Sequence, residues 1–299
     1  MPASSSPAER LRALLAAPGL KVAPCCFDSL SAKLIASAGF PVTFMSGFAV
    51  SAARLGMPDT GLISFAEMLD SLRACTASAG AVPLIGDGDT GYGNALNVQR
   101  TVREYARAGA AAVMIEDQLS PKKCGHTKGK QVVDREEARI RVRAAVEAGR
   151  DSGILVLART DARGPHGFDE AMARMRIFAE EGADILFLEA PLDREEMRRF
   201  CAGFPGKPCM ANLVHGGATP ILPPAEIEAL GFKLAIYPLH LLAAVISAMQ
   251  QALAALQPGA ATALPPLASF DEIKRVVGFP EYWAAEMRFA DPARRTAAE

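Results

Sequence analysis

Residues 83–117, PLIGDGDTGYGNALNVQRTVREYARAGAAAVMIED, contain one complete strand–helix–strand pattern. A short apolar run at 83–85 is followed by a glycine-rich turn and then by an amphipathic segment at 95–108. Gly109 comes next, where glycine commonly ends a helix, and a second apolar run covers 111–115. This order predicts a βαβ unit with two parallel strands.

The same alternation extends over most of the chain. The apolar runs predict eight strands, at 22–26, 42–45, 83–85, 111–115, 154–158, 185–188, 208–211 and 234–237. The amphipathic segments predict eight helices, at 29–37, 64–79, 95–108, 135–151, 168–181, 194–201, 224–230 and 239–256. Eight βα units in a chain of this length are typical of an α/β fold of the (β/α)₈ TIM-barrel type. The alternative is an open doubly wound sheet, but residues 26–29 do not form the glycine-rich nucleotide loop that it would need.

The regular alternation ends near Gln257. We predict that residues 1–257 form the barrel, with an additional helix at 8–17, and that residues 258–299 form a linker and a C-terminal helical segment. The segment 270–289 carries large aromatic side chains that need a packing partner, either the barrel or a neighbouring subunit.

Composition limits the partners and the compartment. With 32 basic and 33 acidic residues, the net charge of −1 offers no electrostatic basis for binding nucleic acid or an anionic membrane. No apolar run approaches the roughly 20 residues of a membrane span, and the N-terminus does not resemble a secretion signal. The six cysteines form neither a disulfide framework nor a paired zinc motif. We therefore expect a reducing, cytoplasmic location with no nucleic-acid or membrane partner.

Polar residues follow five consecutive predicted strands, the third to the seventh. They are Asp87 and Asp89, Glu116, Arg159, Glu189 and Asn212. Because the carboxyl ends of barrel strands meet at one rim, we expect them to form one site. Asp87, Asp89 and Glu116, together with Asp59, favour a divalent cation, and oxygen ligands select Mg²⁺ or Mn²⁺. The alternative for Asp87 and Asp89 is Asx-turn chemistry in a glycine-rich loop.

Arg159 ends an apolar run, so its charge needs an anionic partner. A substrate carboxylate bound by two guanidinium nitrogens would serve, as would an internal ion pair with Glu189 or Asp161.

The predicted connection at 120–130 is much longer than usual, and long loops in compact domains are often lids. Within it, Cys124 is flanked by Lys122, Lys123 and His126, and neighbouring cations lower the pKa of a thiol. A thiol with a pKa near neutrality can donate or accept a proton. The alternative is a solvent-exposed basic loop that contains an incidental cysteine.

The motif KKCGH at 122–126 resembles the K(K/R)CGH signature of the isocitrate lyase/phosphoenolpyruvate mutase superfamily. The match covers nearly the whole chain in order, at 45–47, 56–59, 86–93, 115–118, 158–161, 188–190, 211–212, 216–220 and 236–238. The resemblance implies a (β/α)₈ barrel whose C-terminal helix is swapped between the subunits of a homotetramer. With cysteine at position 124, the sequence resembles the cysteine-containing carbon–carbon lyase branch of the superfamily. This branch includes the 2-methylisocitrate and 2,3-dimethylmalate lyases.

The resemblance also implies roles for individual residues. Ser46 and Gly47, next to Phe48, would bind the carboxylate of the pyruvate end. Asp87 would bind Mg²⁺ directly, and Asp59, Asp89 and Glu116 would bind it through water. Arg159 would hold the α-carboxylate or alkoxide side of the substrate. The second carboxylate would contact Gly125, His126, Asn212 and Thr219, with Glu189 supporting them. Cys124 would supply a proton from the closed lid, with Lys122 and His126 beside it.

Three departures from the family pattern bear on the substrate. Phe48 and Val214-His215 differ from the 2-methylisocitrate lyases, and Phe44 stands where several relatives have tyrosine. The implied reaction is retro-aldol or retro-Claisen cleavage of a small dicarboxylate, a 2-alkylmalate such as 2,3-dimethylmalate, to pyruvate and a short carboxylate. The alternatives are cleavage of 2-methylisocitrate to pyruvate and succinate, decarboxylation or hydrolysis of oxaloacetate, and a non-catalytic barrel that serves as an interaction scaffold.

Overall fold

The computed structural model describes residues 5–124, 129–258 and 263–289. Its eight strands are all parallel, as the apolar runs predict. They are β1 (Lys21–Cys26), β2 (Thr43–Met45), β3 (Leu84–Asp87), β4 (Ala112–Glu116), β5 (Leu155–Thr160), β6 (Ile185–Leu188), β7 (Met210–Asn212) and β8 (Leu234–Tyr237). The sheet order is β6-β5-β4-β3-β2-β1-β8-β7, and a bridge between Leu186 and Cys209 joins β6 to β7. The sheet therefore nearly closes, and the predicted TIM barrel is confirmed.

Helices alternate with these strands along the chain. They are α1 (Pro7–Ala16), α2 (Ser29–Ser37), α3 (Gly47–Leu55), α4 (Phe65–Ala79), α5 (Ala95–Arg107), α6 (Arg135–Ser152), α7 (Arg163–His166), α8 (Phe168–Glu181), α9 (Arg194–Ala202), α10 (Pro224–Ala229), α11 (His240–Leu256), α12 (Phe270–Val277) and α13 (Phe279–Phe289). The sequence did not predict α3 and α7, which lie within the connections after β2 and β5. None of the helices in the described ranges is long and apolar enough to cross a membrane.

Four strands extend further toward the rim than their apolar residues predict. β3 runs to Asp87, β4 to Glu116, β5 to Thr160 and β7 to Asn212, because the backbone ladder continues past the last apolar side chain. Asp87 pairs with Met114 across the sheet, and Glu116 pairs with Arg159. These polar residues therefore lie on strand ends rather than in loops, so the barrel backbone fixes their positions.

The amino end of the barrel is covered by α1. Ser6 caps this helix, and its Ala8, Leu11 and Leu15 side chains belong to the same buried cluster as residues from the starts of the strands, such as Ala23 and Leu155. Burial of this apolar helix face stabilises the end of the barrel that lies opposite the polar rim.

The chain divides into two compact units, Met1–Ala243 and Ala244–Glu299. The division falls within α11, whereas the sequence places the end of the barrel at residue 257. In the second unit, the predicted segment 270–289 is two helices rather than one. Gly278 separates them, because its positive φ of 96° ends α12.

Candidate active site

A cavity lies at the carboxyl ends of the strands, where the sequence predicts the site. Its empty volume is about 510 Å³, part of which is continuous with solvent. It is lined by Phe44, Ser46, Phe48, Asp59, Asp87, Met114, Glu116, Lys122, Lys123, Cys124, Arg159, Phe187, Glu189, Asn212, Val214, Ile236, Pro238 and Leu239. Ten of the predicted site residues are thus brought to one cavity from segments far apart in the chain.

Asp87 is fixed by two backbone N–H groups, one at the start of α3 and one in the turn that follows β3. Its Oδ2 accepts a hydrogen bond from Gly47 N at 3.0 Å, and its Oδ1 accepts one from Asp89 N at 3.1 Å. A Cβ atom at position 47 would lie 2.6 Å from Asp87 Oδ2, so only glycine allows this approach without a shift. The Ser46 hydroxyl caps α3 by accepting from Ala49 N. The carboxylate therefore lies at the positive end of a helix.

Lys122 lies between two of the predicted metal-site carboxylates. Its Nζ is 2.5 Å from Asp59 Oδ1 and 2.9 Å from Asp89 Oδ1, and all three side chains are buried. Tyr92 donates a hydrogen bond to the other carboxylate oxygen of Asp89 at 3.0 Å. Lys122 thus neutralises acidic side chains, whereas its place in the sequence predicts that its charge lies beside the Cys124 thiol.

The acidic side chains of the cavity are harder to ionise than ordinary carboxyl groups. Burial and the neighbouring Asp89 charge raise the pKa of Asp87 to about 6. Burial also raises the pKa of Asp59, with Lys122 opposing the shift, and it raises the pKa of Glu116 well above its usual range despite Arg159. A positive ion at this place would favour the ionised form of all three groups.

Arg159 is bound by three acidic side chains. Asp161 accepts from its Nε at 2.7 Å and from its Nη2 at 3.0 Å. Glu116 Oε2 lies 3.3 Å from Nε, and Glu189 Oε2 lies 3.2 Å from Nη2. Burial opposes the charge of Arg159, but these carboxylates hold its pKa well above the usual value. The internal ion pair that the sequence left open is present, and Arg159 still lines the cavity.

The remaining predicted substrate residues differ in position. Asn212 lines the cavity and donates from Nδ2 to Glu189 Oε2 at 3.1 Å, so the side chain of Glu189 holds its amide. Thr219, a described residue, is buried but is not part of the cavity lining. Gly125 and His126 lie outside the described residues.

We call residues 118–131 the lid, and both of its ends are attached to the barrel. The backbone of Leu119 donates to Gln131 O at 2.9 Å, and Val133 N donates to Asp117 O at 3.0 Å. At the second end of the lid, Lys130 Nζ lies 2.8 Å from Asp161 Oδ1, which also binds Arg159. Cys124 is half-buried and lines the cavity.

The acidic residues fit a hard divalent cation that keeps part of its water. The donors are all oxygen atoms, and the buried Glu116 Oε1 has no hydrogen-bond partner among the described residues. No three histidine, cysteine or acidic side chains of that part of the chain converge into a complete ligand shell. Such a donor set suits Mg²⁺, which commonly binds one or two carboxylates and retains several waters.

Sequence reasoning missed much of the apolar lining of the cavity. Met114, Phe187 and Ile236 line it, and each lies two residues before a rim residue that also lines it, namely Glu116, Glu189 and Pro238. Alternate side chains of a strand point to the same side, so this two-residue spacing could have identified them. Asp161 is the bidentate partner of Arg159, whereas the sequence offers it only as one of two possible ion-pair partners.

A sequence profile decides the family. The profile described as phosphoenolpyruvate phosphomutase matches residues 11–257, which include every strand and the whole cavity lining. The chain belongs to the phosphoenolpyruvate mutase/isocitrate lyase superfamily.

Relatives within the superfamily include named lyases. The 2,3-dimethylmalate lyase of Eubacterium barkeri is 41% identical over 285 residues, covering 95% of this chain and 98% of that protein. The 2-methylisocitrate lyase of Aeropyrum pernix is also 41% identical, over 243 residues that cover 81% of this chain and 77% of that protein. The chain is therefore a carbon–carbon lyase of this superfamily, as the cysteine motif predicts.

Solved structures of the superfamily have the same fold. A crystal structure of 2,3-dimethylmalate lyase superposes with a TM-score of 0.90 and 36% identity, covering 95% of this chain and 96% of the other. Oxaloacetate acetylhydrolase in complex with 3,3-difluorooxalacetate gives a TM-score of 0.90 and 34% identity, covering 94% and 96%. Phosphonopyruvate hydrolase in complex with oxalate and Mg²⁺ gives 0.81 and 32%, covering 95% and 99%.

Proposed function

We propose that this lyase cleaves a small 2-alkylmalate, such as 2,3-dimethylmalate, into pyruvate and a short carboxylate. The observation that carries the proposal is the apolar part of the cavity lining. Phe48, Val214, Pro238 and Leu239 line the cavity together with Phe44 and Phe187. Such a wall favours alkyl groups, and it offers no hydrogen bonds to a third carboxylate.

The charges of the cavity also favour a substrate with two carboxylates. Among the described lining residues the cations are Lys122, Lys123 and Arg159, and Lys122 is already paired with Asp59 and Asp89. A tricarboxylate such as 2-methylisocitrate needs more positive or amide partners than this lining supplies, because an unpaired buried carboxylate is costly.

We propose that Asp87 binds Mg²⁺ or Mn²⁺, and that Asp59, Asp89 and Glu116 bind its water ligands. When bound, the cation would supply Lewis-acid polarisation of the substrate oxygens. The similarity to a phosphonopyruvate hydrolase whose structure contains oxalate and Mg²⁺ supports this assignment. Gly47 holds Asp87 in place through its backbone N–H, and α3 contributes its positive end there.

In the proposed reaction the proton of the substrate's 2-hydroxyl group passes to solvent, and the bond between C2 and C3 breaks. C2 becomes the carbonyl carbon of pyruvate, and the bonding electrons remain on C3, next to the second carboxylate. Arg159 binds a substrate carboxylate or the C2 oxygen through its cavity-facing side, while Asp161 fixes its orientation. Cys124 donates its thiol proton to C3, and solvent restores that proton. For 2,3-dimethylmalate the second product is propionate.

A substrate panel tests the proposed function. The purified protein with Mg²⁺ is given 2,3-dimethylmalate, 2-methylisocitrate and oxaloacetate, and released pyruvate, succinate and oxalate are each measured. We expect the highest kcat/KM for the 2-alkylmalate and loss of turnover in the Asp87→Asn variant. A higher kcat/KM for either of the other two substrates would contradict the proposal.

We also propose that the enzyme is a cytoplasmic homotetramer. Five of its six cysteines are buried, and none forms a disulfide, which suits a reducing compartment. In the second unit, Phe270, Tyr282 and Phe289 are exposed, and large exposed aromatic side chains are typical of subunit interfaces.

A further inference from the structure

The side chain of Gln118 holds the lid at the residue next to Cys124. Gln118 Nε2 donates to the carbonyl oxygen of Lys123 at 2.8 Å, and its Oε1 accepts from Lys123 N–H at 2.9 Å. One side-chain amide therefore satisfies both backbone groups of one residue, as a neighbouring strand would. Gln118 is only 1% exposed, so its side chain is shielded from water, and its hydrogen bonds to the exposed Lys123 are partly buried.

The backbone of Gln118 is itself held by Arg141 and by Val132. Its carbonyl oxygen accepts from Arg141 Nη1 at 2.9 Å, and the same nitrogen donates to Glu116 O at 2.8 Å. Its backbone also pairs with Val132 in an antiparallel bridge across the base of the lid. The end of β4, which carries Glu116, is thereby connected to the lid through a short chain of hydrogen bonds, of which those from Arg141 are buried.

Two anchors precede Cys124 along the chain. The side chain of Lys122 is fixed by Asp59 and Asp89, and the backbone of Lys123 is fixed by Gln118. Cys124 is the first residue after both anchors, and it lines the cavity. We infer that Gln118 is a positioning residue that sets the place from which the Cys124 thiol reaches the substrate. This inference rests on the proton-donor role of Cys124 proposed above.

The expected effect follows from the geometry of proton transfer. Donor and acceptor must approach to hydrogen-bond distance, and a displacement of about 1 Å in a reacting group can cost roughly 100-fold in rate. Lost Gln118 hydrogen bonds would shift the segment that carries Cys124 but leave Asp87 and Arg159 in place, because the Gln118 side chain is hydrogen-bonded to Lys123 and to neither of these two residues. The loss should therefore fall on kcat rather than on the binding of substrate.

The test uses Gln118→Met, which removes both hydrogen bonds at similar side-chain size, and Gln118→Glu, which keeps the acceptor and removes the donor. Gln131→Met is the matched control, since Gln131 is an exposed glutamine in the same lid. We expect kcat to fall about 10- to 100-fold in Gln118→Met and less in Gln118→Glu, with KM within about twofold. The control should retain the kcat of the unmodified enzyme. Gln118→Glu decides the question if the methionine variant does not fold.

Two further measurements separate positioning from a merely structural role. In a Cys124→Ser background, Gln118→Met should add no further loss, because residues that act as a unit are not additive. Alkylation of Cys124 by iodoacetamide, followed by peptide mass spectrometry, should change in rate in Gln118→Met and not in Gln131→Met. The other five cysteines are buried and will react slowly.

Multiplicative losses in the double variant, or unchanged turnover and alkylation in both Gln118 variants, would overturn the inference. The alkylation assay needs no substrate. If the enzyme fails to cleave any 2-alkylmalate, the proposed function is wrong, while the alkylation rates still decide whether Gln118 positions Cys124.

Discussion

Gly47 shows how closely the backbone approaches the proposed metal ligand Asp87. Replacement by alanine would put a methyl group 2.6 Å from Asp87 Oδ2, so the carboxylate or α3 must move. We expect Gly47→Ala to weaken Mg²⁺ activation by roughly 10- to 100-fold, as losses of groups that orient metal ligands commonly do. Magnesium titration of activity measures the change. Gly164→Ala is the control, since its new methyl group would lie 3.4 Å from Lys130 Cε, which is an ordinary van der Waals distance.

Cys124 provides a second prediction at the scale of the residue. The Cys124→Ser variant should bind oxalate with unchanged affinity, because the metal ligands and Arg159 are untouched. Its turnover should fall about 100- to 10,000-fold, the usual contribution of a positioned proton donor. Oxalate inhibition or calorimetry gives the affinity, and a pyruvate assay gives the rate. Near-normal turnover would exclude the thiol as the proton donor.

Among the elements, α6 and α8 are connected by Glu170. Hydrogen bonds from Arg135 lower the pKa of Glu170 to about 2 against burial, with help from Arg174. Arg174 also contacts Asp117 at 3.1 Å, so this cluster joins both helices to the end of β4.

The lowered pKa predicts how stability depends on pH. The folded pKa of Glu170 lies below its ordinary value of 4.5, so its contribution is complete above that value and is lost as the pH falls toward 2. Glu170→Gln should therefore lower the melting temperature near neutral pH, and the difference should shrink below pH 4.5. Solvent screening limits the effect to about 1 kcal/mol, or roughly 2–4 °C. Glu136→Gln, in the exposed first turn of α6, is the control variant. Thermal melts across this pH range measure both variants.

Elements were predictable where periodicity is strong. β6, β8, α2 and α8 match their predicted bounds because each is a clear apolar or amphipathic run that begins directly after a polar or glycine residue. α3 was missed because its sequence, GFAVSAARL, follows β2 with only Ser46 between two apolar segments.

The rim residues were predictable because chain order alone places strand ends together. The partners of these residues were not. Gln118 binds Lys123, and Lys130 binds Asp161, through side-chain geometry that no sequence period records. The position of Lys122 between Asp59 and Asp89 likewise depends on side-chain geometry in a segment with no regular sequence pattern.

On the scale of the whole molecule, the second unit provides a direct probe of assembly. Trp283 is the sole tryptophan of the chain, and it is 46% exposed in the single subunit. If aromatic side chains of this unit pack in a homotetramer, tryptophan emission should be blue-shifted at high protein concentration and should shift to the red on dilution. Light scattering should give a mass four times that of one chain. Concentration-independent emission together with a monomer mass would contradict the proposed tetramer.

The amino end of the barrel contributes to stability, whereas the carboxyl end carries the residues proposed for the reaction. Leu11 of α1 is fully buried at the amino end of the barrel, which lies opposite the side chains proposed to contact the substrate. A chain shortened to begin after α1 would keep every reacting side chain but would expose apolar surface at the amino end of the barrel. We therefore expect it to aggregate during expression and not to change its substrate selectivity. Protein engineering aimed at a new reaction can therefore keep α1 unchanged and substitute residues at the carboxyl ends of the strands.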